Sequence, residues 1–186
     1  MIYEPADDSY LMEKVVRKYS KGKKVLDMGS GSGIQAQSAL EAGAKEVIAV
    51  DINKESVVHV KSLGIKSIQS SLFSKVKGEF DLIIFNPPYL PFDVLEDNES
   101  ALATTGGKKG DEIILKFLKA CNEHLEKKGV ILLVVSSLTP LDKIKKLLKK
   151  QAMEYKIVES KKIFMEELEV LEIQRAKLKS VIIKRL

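Results

Sequence analysis

From residue 24 to about 150 the chain alternates short apolar runs with stretches in which apolar residues recur every three or four positions. The runs read as buried strands, and the wider spacing as helices with one buried face. Strands are therefore expected at 25–28, 46–50, 66–69 (the weakest), 80–85 and 130–135, the last apolar throughout, as befits a strand covered on both faces. Helices are expected at about 35–41, 54–63, 111–125 and 142–150, with Pro140 suited to the first turn of the last. Upstream, Asp7 or Ser9 is placed to cap a helix that buries Leu11, Val15 and Val16. After residue 150 the pattern changes: 155–164 and 168–174 alternate apolar and polar residues, as two half-exposed antiparallel strands do. Seven strands in this order imply an α/β class with a mostly parallel sheet, an antiparallel C-terminal strand and helices on both faces. The pattern does not decide between strand, helix and tail for 178–186. About twenty residues, 90–110, lack periodicity; such a loop inside a compact domain is usually functional.

Neither a linker rich in Pro, Gly or Ser nor a repeat interrupts the 186 residues, so a single domain over 1–186 is expected, with 176–186 as a tail of undecided structure. No apolar stretch approaches the ~18 residues that a bilayer span needs. The acidic N-terminus is not a signal peptide, and a cytoplasmic protein fits best. One cysteine excludes an internal disulfide, and with two histidines it argues against a zinc site within this chain. Cys121 reads as a small buried hydrophobe and His59 as a partly exposed helix residue. Net charge is +5, spread through the chain with one local concentration at Lys143, Lys145, Lys146, Lys149 and Lys150. That stretch is an amphipathic helix whose basic face is either solvated or in contact with RNA or an acidic protein.

The chemistry sits at the strand ends. Asn86-Pro87-Pro88-Tyr89 follows the apolar run 80–85. Its prolines fix φ and remove two donors, leaving carbonyl oxygens free, while Asn86 adds an acceptor and Tyr89 a flat face. Such a turn suits a planar –NH2 group, and the loop beginning at Leu90 would frame the substrate opening. Gly106, Gly107 and Gly110 would shape that loop's return to the sheet. Asp27-Met-Gly29-Ser-Gly31-Ser-Gly33 joins the first strand to the first helix. Glycines at every second position let the backbone pass close beneath a ligand. The spacing is not the G-x-G-x-x-G of a pyrophosphate site, and Asp27 suits an ammonium group instead. Both features argue against a nicotinamide oxidoreductase. Asp51 ends the second strand, where a carboxylate can accept both hydrogen bonds of a ribose diol.

Together these motifs resemble a class I S-adenosylmethionine-dependent methyltransferase of Rossmann-like fold. Tyr3-Glu4-Pro5-Ala6-Asp7-Asp8-Ser9 resembles more narrowly the opening of the short HemK-like methyltransferases of archaea and eukaryotes. The resemblance covers about residues 2 to 175 and implies methylation of the glutamine in the Gly-Gly-Gln motif of peptide release factors. The short length fits too, since bacterial members carry an additional N-terminal helical domain. Residues 1–22 would supply a helix and a segment over the cofactor, with Ser9 near its methionine end. Asp27 would receive the amino group, Gly29 and Gly31 would lie beneath the cofactor, and Asp51 would hold the ribose. Ser71, where the family usually has Asp, and Leu72 would meet the adenine; a hydroxyl accepts more weakly than a carboxylate. Asn86, Pro87 and Tyr89 would form the catalytic turn, Asn86 also touching the cofactor, with S-adenosylhomocysteine as product. A small zinc-binding activator subunit, paired along the edge near the second and third strands, is also implied. The rival reading is methylation of an exocyclic adenine amine in DNA or RNA, against which stands the lack of an added recognition domain.

Overall fold

The apolar runs pair side by side, as runs buried on both faces must. The computed structural model describes residues 2, 4–88, 110–164 and 166–177. In it β1 (Lys24–Met28), β2 (Glu46–Asp51), β3 (Lys66–Gln69), β4 (Phe80–Phe85), β5 (Leu125–Ser136), β6 (Met153–Ile163) and β7 (Glu166–Arg175) form one seven-stranded sheet. Its order is β3-β2-β1-β4-β5-β7-β6; β1 to β5 run parallel, and β7 is antiparallel to both β5 and β6. This is the α/β architecture expected, with the antiparallel C-terminal strand inserted between β5 and β6.

Period-two alternation divides the core. Leu82 and Ile84 of β4 face α1 (Asp7–Tyr19), α2 (Ile34–Glu41) and α3 (Lys54–Ser62), where Met12, Val16, Ala36, Ala39 and Val60 close one layer. Ile83 and Phe85 face α4 (Glu112–Ala120) and α5 (Leu141–Lys150), where Ile114, Phe117, Ile144 and Leu148 close the other. Each of these Leu, Ile, Val, Met and Phe side chains, fully buried, contributes about 1.5–3 kcal/mol. The chain moves outward from β1 through β2 to β3, then returns to β1's other side as β4. The crevice outside the carboxyl ends of β1 and β4 is therefore the switch point at which open α/β sheets bind ligands.

Four local expectations are corrected. The α1 N-cap is Ala6, not Asp7 or Ser9. Asp7 is drawn to Lys161 and Asp8 to Ser9 and Asn86, so both carboxylates lie within the first turn. Pro140 is likewise the N-cap residue, with ψ at 95°, rather than a first-turn residue. The expected 111–125 helix ends at Ala120 and passes through a 3-10 turn, Cys121–His124. There the Arg175 guanidinium donates to the carbonyls of Asn122 and Leu125. Finally, β5 begins at Leu125, not at 130: Leu125 pairs with Phe80, and the register then shifts so that Val130 pairs with Leu82. Cys121 is buried, as read, and burial pushes its thiol up to about 12. The lysines of α5 are exposed. Among the described residues, no helix is long and apolar enough to cross a membrane. The loop 90–109 with Gly106 and Gly107, the 178–186 tail, Tyr3 and Tyr89 lie outside the described residues.

Candidate active site

Register brings the motifs to one rim. Met28 is level with Val50 of β2 and with Phe85 of β4, while Asp51 is level with Gln69 of β3. The segments that follow these four strands therefore emerge side by side.

The glycine turn is built from alternating left-handed residues: Gly29, Gly31 and Gly33 have φ of 69°, 50° and 82°. Only glycine holds such angles without strain. At Gly33, which opens α2, a Cβ would also come within 3.0 Å of Val60 Cγ2. The N–H groups of Gly29 and Ser30 donate to the Val50 carbonyl at 2.7 and 3.0 Å, tying the turn to β2. The Asp51 carboxylate is oriented by two backbone donors, Gly31 N–H to Oδ2 and Asn53 N–H to Oδ1, each at 2.8 Å.

Asp27 is 1% exposed. Its Oδ2 accepts from the Ala36 N–H in the first turn of α2 at 3.1 Å. Burial pushes its carboxyl up to about 7; the Ala36 hydrogen bond opposes the shift and the nearby Asp51 charge adds to it. No cation pairs with Asp27 among the described residues.

Beyond β3, the Ser70 hydroxyl donates to the Leu72 carbonyl at 2.9 Å. That bond spans Leu72, whose φ of 47° is a left-handed conformation that a leucine adopts only under constraint. Leu72 is half-buried against the core, whereas Ser71 is exposed on the rim.

Past β4, Asn86 is half-buried, Pro87 buried and Pro88 half-buried. A Cβ on Gly29 would lie 3.5 Å from Phe85 Cε2, so the residue preceding Asn86 packs directly beneath the glycine turn. The Asn86 Nδ2 donates to Asp8 Oδ2 at 3.1 Å. Its Oδ1 is buried and unpartnered among the described residues. Ser9 lies at this junction: its carbonyl accepts from Gln35 Nε2 at 2.8 Å.

Every expected site residue that the structure describes therefore lies at or beside this rim. Two residues at the rim escaped the sequence reading. Asp8 stands three and four positions before Leu11 and Met12, so it is a carboxylate on the buried stripe of α1, and that was a legible signal. Gln35, buried in the first turn of α2, carried no such signal; its Oε1 and the Ser30 hydroxyl are, with Asn86 Oδ1, buried and unpartnered among the described residues. His59 is half-buried on α3, away from the strand ends. A recess of about 120 Å³ between Tyr155, Lys156 and Glu172 opens on β6 and β7, at the other end of the sheet from the glycine turn.

Residues 7–165 match the family model described as "Methyltransferase small domain". The chain is 40% identical over 146 residues to a provisionally named protein N5-glutamine methyltransferase of Methanocaldococcus jannaschii, covering 74% of each. It is 30% identical over 140 residues to the release factor glutamine methyltransferase of Lactococcus lactis, covering 67% of this chain and 52% of that one. Among solved structures, the E. cuniculi Mtq2–Trm112 complex, which methylates the eRF1 translation termination factor, superposes with a TM-score of 0.77. At 24% identity, over 94% of this chain and 99% of that one, this likeness speaks to the fold. With its matched residues running through every rim segment described above, the chain belongs to the methyltransferase small domain family, among relatives named as protein N5-glutamine methyltransferases.

Proposed function

We propose that this protein methylates the side-chain amide nitrogen of a protein glutamine, that of the Gly-Gly-Gln motif in a class I peptide release factor. The methyl donor is S-adenosylmethionine, the product S-adenosylhomocysteine, and the setting cytoplasmic. Residues 1–186 act as one catalytic domain, with 1–22 covering the cofactor. One observation carries this reading: Asn86 presents a buried oxygen with no partner among the described residues, at the switch point of the sheet and beside a glycine turn without side chains. A buried acceptor left empty costs free energy, so a site that keeps one is built for a donor that arrives with the substrate.

The residues present fit the cofactor. Asp27 is a buried carboxylate without a cation among the described residues, which is unfavourable alone and favourable once an ammonium group arrives. Asp51, its two oxygens aimed by Gly31 and Asn53, keeps lone pairs for a ribose diol. Gly29 and Gly31 offer a floor without side chains, Ser9 closes the methionine end, and Leu72 with the weaker acceptor Ser71 borders the adenine. The cofactor supplies an electrophilic methyl group on a sulfonium.

An amide nitrogen is a poor nucleophile because its lone pair is delocalised into the carbonyl. Asn86 Oδ1 and the Pro87 carbonyl accept the two amide hydrogens and turn the lone pair toward the donor. As positive charge develops on nitrogen these bonds strengthen, lowering the barrier more than the ground state. Tyr89 packs on the amide plane and excludes water. The remaining contribution is orientation, and the nitrogen then sheds one proton to solvent without a dedicated base.

A small activator subunit that binds zinc is expected along the open edge of β3. Ile52, Val58 and Leu63 are exposed apolar side chains beside that edge. Labelled cofactor incubated with purified release factor, wild type against a variant with asparagine at the acceptor glutamine, tests the whole reading. Label confined to the wild-type factor is expected; label on both factors, or on tRNA or DNA, overturns it. The nucleic-acid alternative is not carried forward, since the relatives above are named for glutamine in proteins.

A further inference from the structure

We infer that Asp8 is a positioning residue: it fixes the Asn86 amide so that Oδ1, not Nδ2, faces the acceptor. The inference rests on the function proposed above and concerns a residue to which that reading assigns no role.

A free asparagine amide can turn over, exchanging oxygen for nitrogen. Turned over, Asn86 would present two donors to a substrate –NH2 that offers only donors, and the site would be blocked. An amide partner for Nδ2 could itself turn over; a carboxylate cannot, because both its oxygens only accept. Asp8 is that carboxylate. Its Oδ2 takes the Asn86 Nδ2 hydrogen at 3.1 Å. Its Oδ1 takes the Ser9 N–H at 2.6 Å and the Ser9 hydroxyl at 3.2 Å. Asp8 and Ser9 are 5% and 3% exposed, so water competes little for these bonds. The anchor is itself held: the Ser9 carbonyl accepts from Gln35 Nε2, lashing the first turn of α1 to that of α2. The start of α1 thus sets the direction of hydrogen bonding at the end of β4, 78 residues away in the chain.

The experiment exchanges the two side chains. In Asp8→Asn, one amide hydrogen must oppose either Ser9 N–H or Asn86 Nδ2, so the orientation is no longer enforced. In Asn86→Asp, two carboxylates face each other. In the double variant, the amide oxygen introduced at position 8 accepts from Ser9, and the amide nitrogen there donates to the carboxylate introduced at position 86. An acceptor oxygen then again faces the substrate. Turnover number, KM for release factor and affinity for S-adenosylhomocysteine are measured for each, with side-chain amide NMR of wild type and Asp8→Asn. Asp8→Asn is expected to lower the turnover number about 10- to 100-fold with homocysteine-product affinity unchanged. The double variant is expected to recover at least about tenfold over Asn86→Asp. The Asn86 amide resonances, identified by their loss in Asn86→Asp, shift in Asp8→Asn. Full turnover in Asp8→Asn, no recovery in the double variant, or a loss of product affinity equal to the loss of turnover overturns the inference. A wild-type protein inactive on release factor defeats the proposed function instead, and the NMR comparison then decides on Asp8 alone: unmoved Asn86 resonances overturn it.

Discussion

Asp27 shows how a single buried side chain can lower stability. Its carboxyl, ordinarily near 3.8, sits at about 7 because burial disfavours the charge. Between those two values the unfolded chain has released a proton that the folded chain keeps. Stability therefore falls as pH rises from about 4 to about 7 and stays at its lower level above. Asp27→Asn removes the penalty and is expected to stabilise the protein at pH 8 by up to roughly 4 kcal/mol, a gain that vanishes near pH 4. Melting curves of the two proteins across that range check it; an Asp27→Asn protein no more stable at pH 8 than the parent would sink it. On the function proposed above, the same variant also loses the partner for the cofactor's amino group, so calorimetry should find its affinity sharply reduced. Asn86→Ala divides the other way. Turnover is expected to drop at least about 100-fold with cofactor affinity little changed, because in the proposed mechanism the lost acceptor acts on the transition state. Near-normal turnover in that variant would remove Asn86 from the catalytic role.

Among elements, α4 supports the site from below through one residue. Phe117 is fully buried, with its ring centroid 4.5 Å from that of Phe85 and 5.3 Å from that of Phe73. Phe85 precedes Asn86 and Phe73 follows Leu72, so this aromatic contact joins the segments beyond β4 and β3 under the rim. Phe117→Ala should cost about 3–5 kcal/mol. In a chain of this size that lowers the melting temperature by roughly 10 °C, which calorimetry would show. A melting temperature within a degree or two of wild type would mean that the layer repacks and that α4 is no such support. The elements also show what the apolar pattern can convey. Apolar runs placed β1, β2, β4 and the second part of β5, because burial on two faces leaves a signature in side chains, and apolar–polar alternation placed β6 and β7. The first part of β5 left none: Glu126, Lys127 and Lys128 are exposed, and Leu125 joins the sheet by backbone pairing to Phe80. Hydrogen bonding of the main chain does not require apolar side chains, so pattern reading began that strand five residues late.

For the molecule as a whole, the legible part of the site was the part whose demands are local. Gly29, Gly31 and Gly33 answer to their own φ, while Asp27, Asp51 and Asn86 stand at strand ends that a parallel sheet must align. Asp8 and Gln35 answer to distant partners, Asn86 and the Ser9 carbonyl, and such pairings are settled only when α1 docks. That docking ties opposite parts of the sheet together. Arg17 of α1 pairs with Glu41 at the end of α2, while Lys14 and Lys18 reach Glu159 on β6. A ligand at the rim should therefore be felt through α1 before it is felt anywhere else beyond the rim. Saturation with S-adenosylhomocysteine at about 100 times its dissociation constant adds roughly 2.7 kcal/mol to global stability by mass action alone. Hydrogen exchange separates that uniform gain from local effects. Amides around 8–11, 29–36, 51–53 and 70–73 should slow beyond it, while those of β6, beside the recess at Tyr155 and Lys156, should slow only by it. Protection centred on β6, with the glycine turn unchanged, would move the ligand to that recess and leave the strand-end rim without its role. Protection confined to the turn, with the start of α1 unaffected, would keep the cofactor at the rim but uncouple α1 from it.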